Sequence, residues 1–336
     1  MALVESACHG RVVGRGIHDK STDQAFEHFG LLKSVADRSG IGGDERIIVL
    51  DADLQCCTRT EKFAALYPER SRNVGIAEAN MVGMAAGLAA CGKIVFVNSF
   101  AMFTAGRAFE QIRNSLAYPH LNVKVIGTHA GVTVGKDGAT QCLEDIAAMR
   151  AIPGMMVLSP CDANETRLVT KAIAEYDGPC FMRLGRLDVD ECTNLIPEYH
   201  FELGKAAKLA SGSDVTIIAT GLMVQEALKA REALAAEGIS AAILDIHTIK
   251  PLDREAVIAA VRETGCIVTA EEANILGGLG AAVAEVVSET CPVPVFRVGV
   301  RDCFGRSGDP EALMEYYHIT AADIVEKAKQ AIALKK

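Results

Sequence analysis

At 336 residues the chain is longer than one hydrophobic core usually organises, so two domains are expected. Its 50% hydrophobic and 23% charged residues are those of a globular protein and exclude a disordered chain. The net charge of −9 argues against unaided binding to nucleic acid or to an anionic membrane, because both require clustered Lys and Arg. The 11 cysteines are scattered without a CxxC pair, the pattern of reduced thiols in a cytoplasmic protein rather than of a disulfide framework. The opening MALVESACHGRVVGRG lacks a basic segment followed by an apolar one, so no secretory signal is expected. The longest apolar stretch, Met81 to Cys91, is too short to span a bilayer.

In chain order, helical spacing of apolar residues predicts a first helix over Gln24 to Arg38. Short apolar and β-branched runs then predict buried parallel strands at Arg46–Leu50, Ile94–Asn98, Val123–Ile126, Met155–Leu158 and Cys180–Leu184. Helices are predicted between them at Glu78–Cys91, Arg107–Leu116 and Ala163–Tyr176. Such alternation defines an α/β, doubly wound sheet. After Arg186 the periodicity lapses into LDVDECTNLIPEYHFELGK, read as an interdomain linker. A second series follows, with strands at Val215–Ala219, Ala241–Ile246, Cys266–Thr269 and Val295–Val298. Its helices are predicted at Val224–Glu237, Arg254–Thr264, Leu279–Glu289 and Ala321–Leu334.

Three segments invite chemistry. Asn73-Val74-Gly75-Ile76-Ala77-Glu78-Ala79-Asn80 sets a carboxylate among small and apolar residues at a helix start. Glu78 there either compensates the helix dipole or is held for a function, since an unpaired buried carboxylate is costly. The helix beyond it, with Gly83, Ala85, Ala86, Gly87, Ala89 and Ala90, permits close approach of another backbone, as at a subunit interface. Ser99-Phe100-Ala101-Met102-Phe103 follows a strand, at the edge where parallel sheets bind ligands, and its two aromatics either stack on a flat ring or fill the core. Asp51-Ala52-Asp53-Leu54 arrives at the same edge. The glycine-rich stretch from Gly127 to Gln141, carrying His129 and Asp137, is either a recognition loop or a plain connector, and it has neither GxGxxG nor P-loop spacing. His247 and the pair Glu271 and Glu272 read as fold and interface features.

Taken in order, DADL, GIAEAN, SFAMFTAGRAFEQIR, GTHAGVTVGKDGAT and LEDIAAMRAIPGM, followed by HTIKPLD, EEANILGGLG and VRDCFGRSGDP, resemble the C-terminal section of transketolase. The similarity is greatest to the split transketolases, in which the pyrophosphate-binding domain is a separate polypeptide. It implies a pyrimidine-binding domain over 1–190, a linker over 191–210 and a transketolase C-terminal domain over 211–336.

The resemblance implies thiamine diphosphate as cofactor. A Glu at the Glu78 position hydrogen-bonds the pyrimidine N1′, favouring the imino tautomer whose nitrogen removes the thiazolium C2 proton; a carboxyl kept from bulk water suits such proton sharing. By the same carry-over Phe100 and Phe103 line the pyrimidine pocket, Leu54 wedges near the cofactor and Asp53 supports it. His129 and Asp137 hydrogen-bond sugar hydroxyls or an acceptor phosphate, Gln141 stands where many members have His, and Arg183 matches the family's phosphate-binding Arg. Three departures touch the acceptor. Lys20-Ser21-Thr22-Asp23 puts an acid where the family has Arg, Cys57 replaces a Ser, and the loop DGATQCLEDIA is one residue short. The family's GDG signature for the diphosphate and its Mg2+ or Ca2+ is missing from the chain, so those ligands are expected on a partner N-terminal subunit, in an α2β2 assembly. Two alternatives remain: a 2-oxo-acid dehydrogenase β-like subunit, and a non-catalytic assembly subunit.

Overall fold

The computed structural model describes residues 41–197 and 199–335, and the predicted helix Gln24 to Arg38 lies outside them. The described chain builds two α/β sheets. The first opens with β1 (Ile47–Asp51) and includes β2 (Ser71–Asn73), β3 (Ile94–Phe100), β4 (Val123–Thr128), β5 (Met156–Leu158) and β6 (Cys180–Arg183). The second contains β7 (Ala207–Ala210), β8 (Val215–Ala219), β9 (Ala241–Asp245), β11 (Ile267–Asn274) and β12 (Val295–Val300). Between β9 and β11 lies β10 (Thr248–Lys250), which leaves the second sheet and pairs antiparallel with β5 at the edge of the first. The orders are therefore β10-β5-β6-β4-β3-β1-β2 and β12-β11-β8-β9-β7. Every pairing is parallel except β10 with β5 and β7 with β9.

The central strands read as apolar runs because both faces are covered; β4 is buried at every position. Even Lys124 within it is fully buried, its ammonium satisfied by the carbonyls of Tyr176 and Gly178 at 2.7 Å. Three of the helices that cover the sheets begin on side-chain caps of this kind: Asp162 accepts from the Glu165 N–H, Asp253 from that of Ala256, and Thr320 and Asp323 form a capping box.

Three short strands went unpredicted. β2, β7 and β10 have three or four residues each, too few for a period-two pattern to register. β7 lies inside the stretch read as linker, so the last four residues of that stretch belong to the second sheet. One core cluster runs through both sheets, joining Leu50, Val97, Val125 and Phe181 to Ile218, Leu244, Ile246 and Ile267. No described helix is long and apolar enough to cross a membrane.

Candidate active site at the carboxyl edge of the first sheet

Because β6, β4, β3, β1 and β2 are mutually parallel, their carboxyl ends line up along one edge. β1 ends in Asp51, whose fully buried carboxylate accepts from the Leu54 N–H at 2.6 Å and from the hydroxyls of Thr58 and Thr60 at 2.6 and 3.0 Å. Burial pushes the Asp51 carboxyl up, and these three donors hold the turn that carries Asp53 and Leu54. Asp53 sits at φ 64° and exchanges two 3.1 Å hydrogen bonds with Asn73, one from its own N–H and one to its carboxylate. Asn73 also accepts from the Gly75 N–H at 2.9 Å, and Gly75 takes φ 76°, a turn that needs glycine. That turn delivers the chain to the helix α3 (Glu78–Ala90), the third after the short helices α1 (Gln55–Thr58) and α2 (Glu61–Leu66).

Glu78 is the first residue of α3 and only 1% exposed. Arg107 reaches it at 3.3 Å, and the same guanidinium lies 5.5 Å from the Phe103 ring centre. Phe103 stacks on Phe100 with centroids 6.0 Å apart, and Phe100 lies 4.1 Å from the imidazole of His129. Glu78, Arg107, Phe103, Phe100 and His129 thus form one contiguous row. Met102–Arg107 is wound as a π-helix, a rare form that recurs at functional sites. Sequence periodicity started this helical segment at Arg107 and missed the π turn.

His129 is 6% exposed, occupies the left-handed region at φ 54° and pairs its Nδ1 with the Thr128 hydroxyl at 3.0 Å. A β-strand ending in such a non-glycine residue is strained, which is typical of a functional position. Burial, aided by the nearby Arg186 charge, depresses the His129 pKa to about 3, so the ring is neutral at physiological pH. Asp137 is exposed at the tip of the same loop.

Two of the expected substrate ligands are placed elsewhere. Arg183 is 4% exposed; its Nε donates to Asp145 at 2.9 Å and an Nη to the Glu272 carbonyl at 2.6 Å, where the two sheets' loops meet. The exposed arginine is Arg186, three residues on and past the end of β6, which donates to the Val134 carbonyl at 2.7 Å. The sequence FMRLGR offers both; only the end of the strand decides which faces outward. Gln141 is 5% exposed and its amide nitrogen bridges the carbonyls of Gly135 and Arg306, each at 2.9 Å. It stitches the loop to the second domain. Its Oε1 has no hydrogen-bond partner among the described residues.

Glu271 and Glu272 perform similar joinery. Glu272 accepts from the Thr133 N–H at 2.7 Å, and Glu271 accepts from Leu279 and Gly280 at the start of a helix. Lys20 to Asp23 lie outside the described residues, whereas Cys57, in α1, is partly buried beside the Asp53 turn. The row fits a flat heteroaromatic ring with a protonatable nitrogen: a buried carboxylate stands at one end and a stacked aromatic pair beside it.

Comparison with known proteins is consistent with this geometry. Residues 40–191 match the family model for the transketolase pyrimidine-binding domain, and residues 204–324 that for the transketolase C-terminal domain. The chain therefore belongs to the transketolase family. It is 50% identical over 285 residues to a putative transketolase C-terminal section of Methanocaldococcus jannaschii, covering 84% of this chain and 89% of that one. It is 47% identical to a 6-deoxy-6-sulfo-D-fructose transketolase subunit of a Clostridium species, covering 87% and 90% of the two chains. Among solved structures, a split-gene transketolase described as an inactive beta4 tetramer superimposes with a TM-score of 0.82 at 47% identity, over 91% of this chain and 98% of that one. The two domains here are those that split transketolases carry on their C-terminal section.

Proposed function

We propose that this chain is the catalytic C-terminal subunit of a thiamine-diphosphate-dependent transketolase that moves a two-carbon ketol unit from a ketose to an aldose. The carrying observation is Glu78, buried at the head of α3 and continuous with the Phe103, Phe100 and His129 row. The bound cofactor supplies the nucleophilic carbon and the electron sink. Glu78 holds and returns a proton at the pyrimidine N1′. Phe100 and Phe103 pack on the ring with Leu54 beside them, and Asp53, locked to Asn73, fixes that wall. Neutral His129 gives a directional hydrogen bond to a sugar hydroxyl, Asp137 hydrogen-bonds the sugar or an acceptor phosphate, and Arg186 meets an anionic terminus of the acceptor.

A partner N-terminal subunit supplies the diphosphate and metal contacts in an α2β2 assembly; the tetramer of β subunits formed by the split-gene relative is described as inactive, which supports this division of labour. Asp23 and Cys57 in place of the family's Arg and Ser point away from an ordinary sugar-phosphate acceptor. The sulfosugar activity named for the Clostridium relative supports a differently charged terminus. The test is reconstitution with the partner subunit, thiamine diphosphate and Mg2+ or Ca2+, with ketose and 2-oxo-acid donors compared. Turnover of the ketose alone supports the proposal. Turnover of the 2-oxo acid alone moves the chain to the dehydrogenase class, and no turnover with either leaves it a non-catalytic assembly subunit.

A further inference from the structure

Across the first sheet from β2 and Glu78, past the end of β5, three segments bring two thiols and two carboxyls together. Cys161 lies in the turn between β5 and the helix Ala163–Glu175, Cys192 in the connection to the second domain, and Asp245 at the end of β9. Side-chain donor atoms of Cys161, Asp162 and Cys192 all lie within 4.8 Å of one another, as do those of Cys161, Glu165 and Asp245. Cys161 is the link: its sulfur meets that of Cys192 on one side and the two carboxyls on the other.

The backbone holds the two thiols side by side. Asp162 accepts from the N–H groups of Cys192 and Thr193 at 2.9 and 2.8 Å, and from the Thr193 hydroxyl, so the residue next to Cys161 grips the segment that carries Cys192. Access separates the two sulfurs. Cys161 is 2% exposed, whereas Cys192 is only partly buried and meets reagents from solvent. Burial among acids pushes the Cys161 thiol up, so it keeps its proton and is not the first to attack. Its neighbours can take that proton at short range. Asp245 is fully buried and hydrogen-bonded to both Cys161 and Glu165. Glu165 is oriented in turn by the Cys161 N–H at 2.7 Å and the Tyr199 hydroxyl at 2.5 Å. Two carboxyls joined by a hydrogen bond hold one proton between them, which leaves the pair able to receive another.

We propose that Cys161 and Cys192 are a site of reversible oxidation by hydroperoxides, in which Cys192 attacks, Cys161 resolves and Asp245 is the base for Cys161. The Cys192 thiolate attacks hydrogen peroxide, the O–O bond breaks, and Cys192 becomes a sulfenic acid as hydroxide leaves and picks up the proton that Cys192 gave to solvent. Cys161 then passes its proton to Asp245 and attacks the Cys192 sulfur. The S–S bond, about 2.05 Å long, forms as the S–O bond breaks, and the departing oxygen takes the proton back from Asp245 and leaves as water. Two thiols thus lose two electrons and two protons, and the peroxide becomes two waters. A cavity of about 60 Å³ lined by Cys161, Asp162, Thr133 and Leu187 gives a water-sized reagent or product room beside the pair. The disulfide ties the connecting segment covalently to the first domain, where Asp162 otherwise holds it by hydrogen bonds alone.

The test needs no enzymatic activity, so its outcome is independent of the function proposed above. The full-length chain, reduced and then freed of reductant, is exposed to rising hydrogen peroxide, blocked with N-ethylmaleimide, digested and read by mass spectrometry. The expected product is a peptide pair joined through Cys161 and Cys192. It should form at peroxide levels that leave the exposed Cys91 and Cys303 as maleimide adducts, and dithiothreitol should release it. Cys192→Ser should abolish the joined pair and, because Cys192 is only partly buried, keep the circular dichroism of the unmodified chain. Asp245→Asn, checked for folding in the same way, should slow closure at least about tenfold and let dimedone trap the sulfenic acid on Cys192. Oxidation of Cys91 and Cys303 before any joined peptide appears overturns the proposal, as does arrest of Cys192 as a sulfinic acid in the unmodified chain. Closure at the normal rate in a folded Asp245→Asn chain overturns the assignment of Asp245 as the base.

Discussion

Glu78 combines near-complete burial with a single ion-pair partner among the described residues, Arg107, whose own side chain is 56% exposed. Its carboxylate is held at the head of a helix, where the dipole favours negative charge. Glu78→Gln keeps the shape and removes the proton exchange. With the partner subunit and cofactor present, the variant should fold and assemble while kcat falls at least about 10²-fold, the lower end for general acid–base catalysis. Near-normal kcat in steady-state assays would reduce Glu78 to a helix-start residue. His129 makes a second, pH-based prediction. Its folded pKa of about 3 lies below the ordinary 6.5, so its contribution to stability is complete above pH 6.5 and is lost as pH falls through the folded value. Its ring resonances in NMR spectra should stay flat from pH 8 to about pH 5, where an exposed histidine titrates. Titration of His129 near 6.5 would show that the ring is open to solvent and carries charge when substrate arrives.

The elements make the site by where strands stop. β6 ends at Arg183, which Asp145 and the Glu272 carbonyl take inward, so the next outward-facing guanidinium is that of Arg186. Asp145→Ala leaves a buried, unpaired guanidinium and should cost about 3–5 kcal/mol in urea unfolding. Arg183→Met should destabilise too while leaving the acceptor KM unchanged in whatever fraction folds. Arg186→Met should leave unfolding within about 0.5 kcal/mol of the parent and raise the acceptor KM. A normally stable Arg183→Met that fails to bind anionic acceptor restores Arg183 as the ligand. The parallel strands and their helices were legible in the sequence because burial on both faces leaves unbroken apolar runs such as IVFV and VTII. The positions of Phe100 and His129 were legible because they stand where such runs end, and that of Glu78 because a glycine turn delivers it to an Ala/Gly-rich helix. What escaped had no local signal. β10 gains its place from the neighbouring β5, and the inward turn of Arg183 and Gln141 depends on Glu272 and Arg306, 89 and 165 residues away.

At the scale of the molecule, the row from Glu78 to His129 is one wall of a site. α3 buries Glu78, Met81, Val82 and Ala85, packs Ala86, Leu88 and Ala89 partly against the core, and exposes Asn80, Gly83, Met84, Gly87 and Ala90. Ile76, just before the helix, is 65% exposed and Met84 is 39% exposed, while a Cβ added at Gly83 or Gly87 would meet nothing within 4 Å. A helix whose outer face combines apolar side chains with bare backbone gains by accepting another chain closely. Under the proposed function, the chain's own residues at the row address one end of the cofactor, an aromatic pair for a ring and a carboxylate for its nitrogen. The expected consequence is that the isolated chain binds thiamine diphosphate weakly, and that tight, metal-dependent binding appears only after the N-terminal partner is added. Calorimetry on the lone chain and on the complex, each with and without Mg2+, measures this directly. A Kd of 1 μM corresponds to about −8.2 kcal/mol, more than one wall should deliver after the entropic cost of immobilising the ligand. Micromolar or tighter binding by the lone chain, unaffected by Mg2+, would mean that its own residues complete the site and that the partner serves some other purpose.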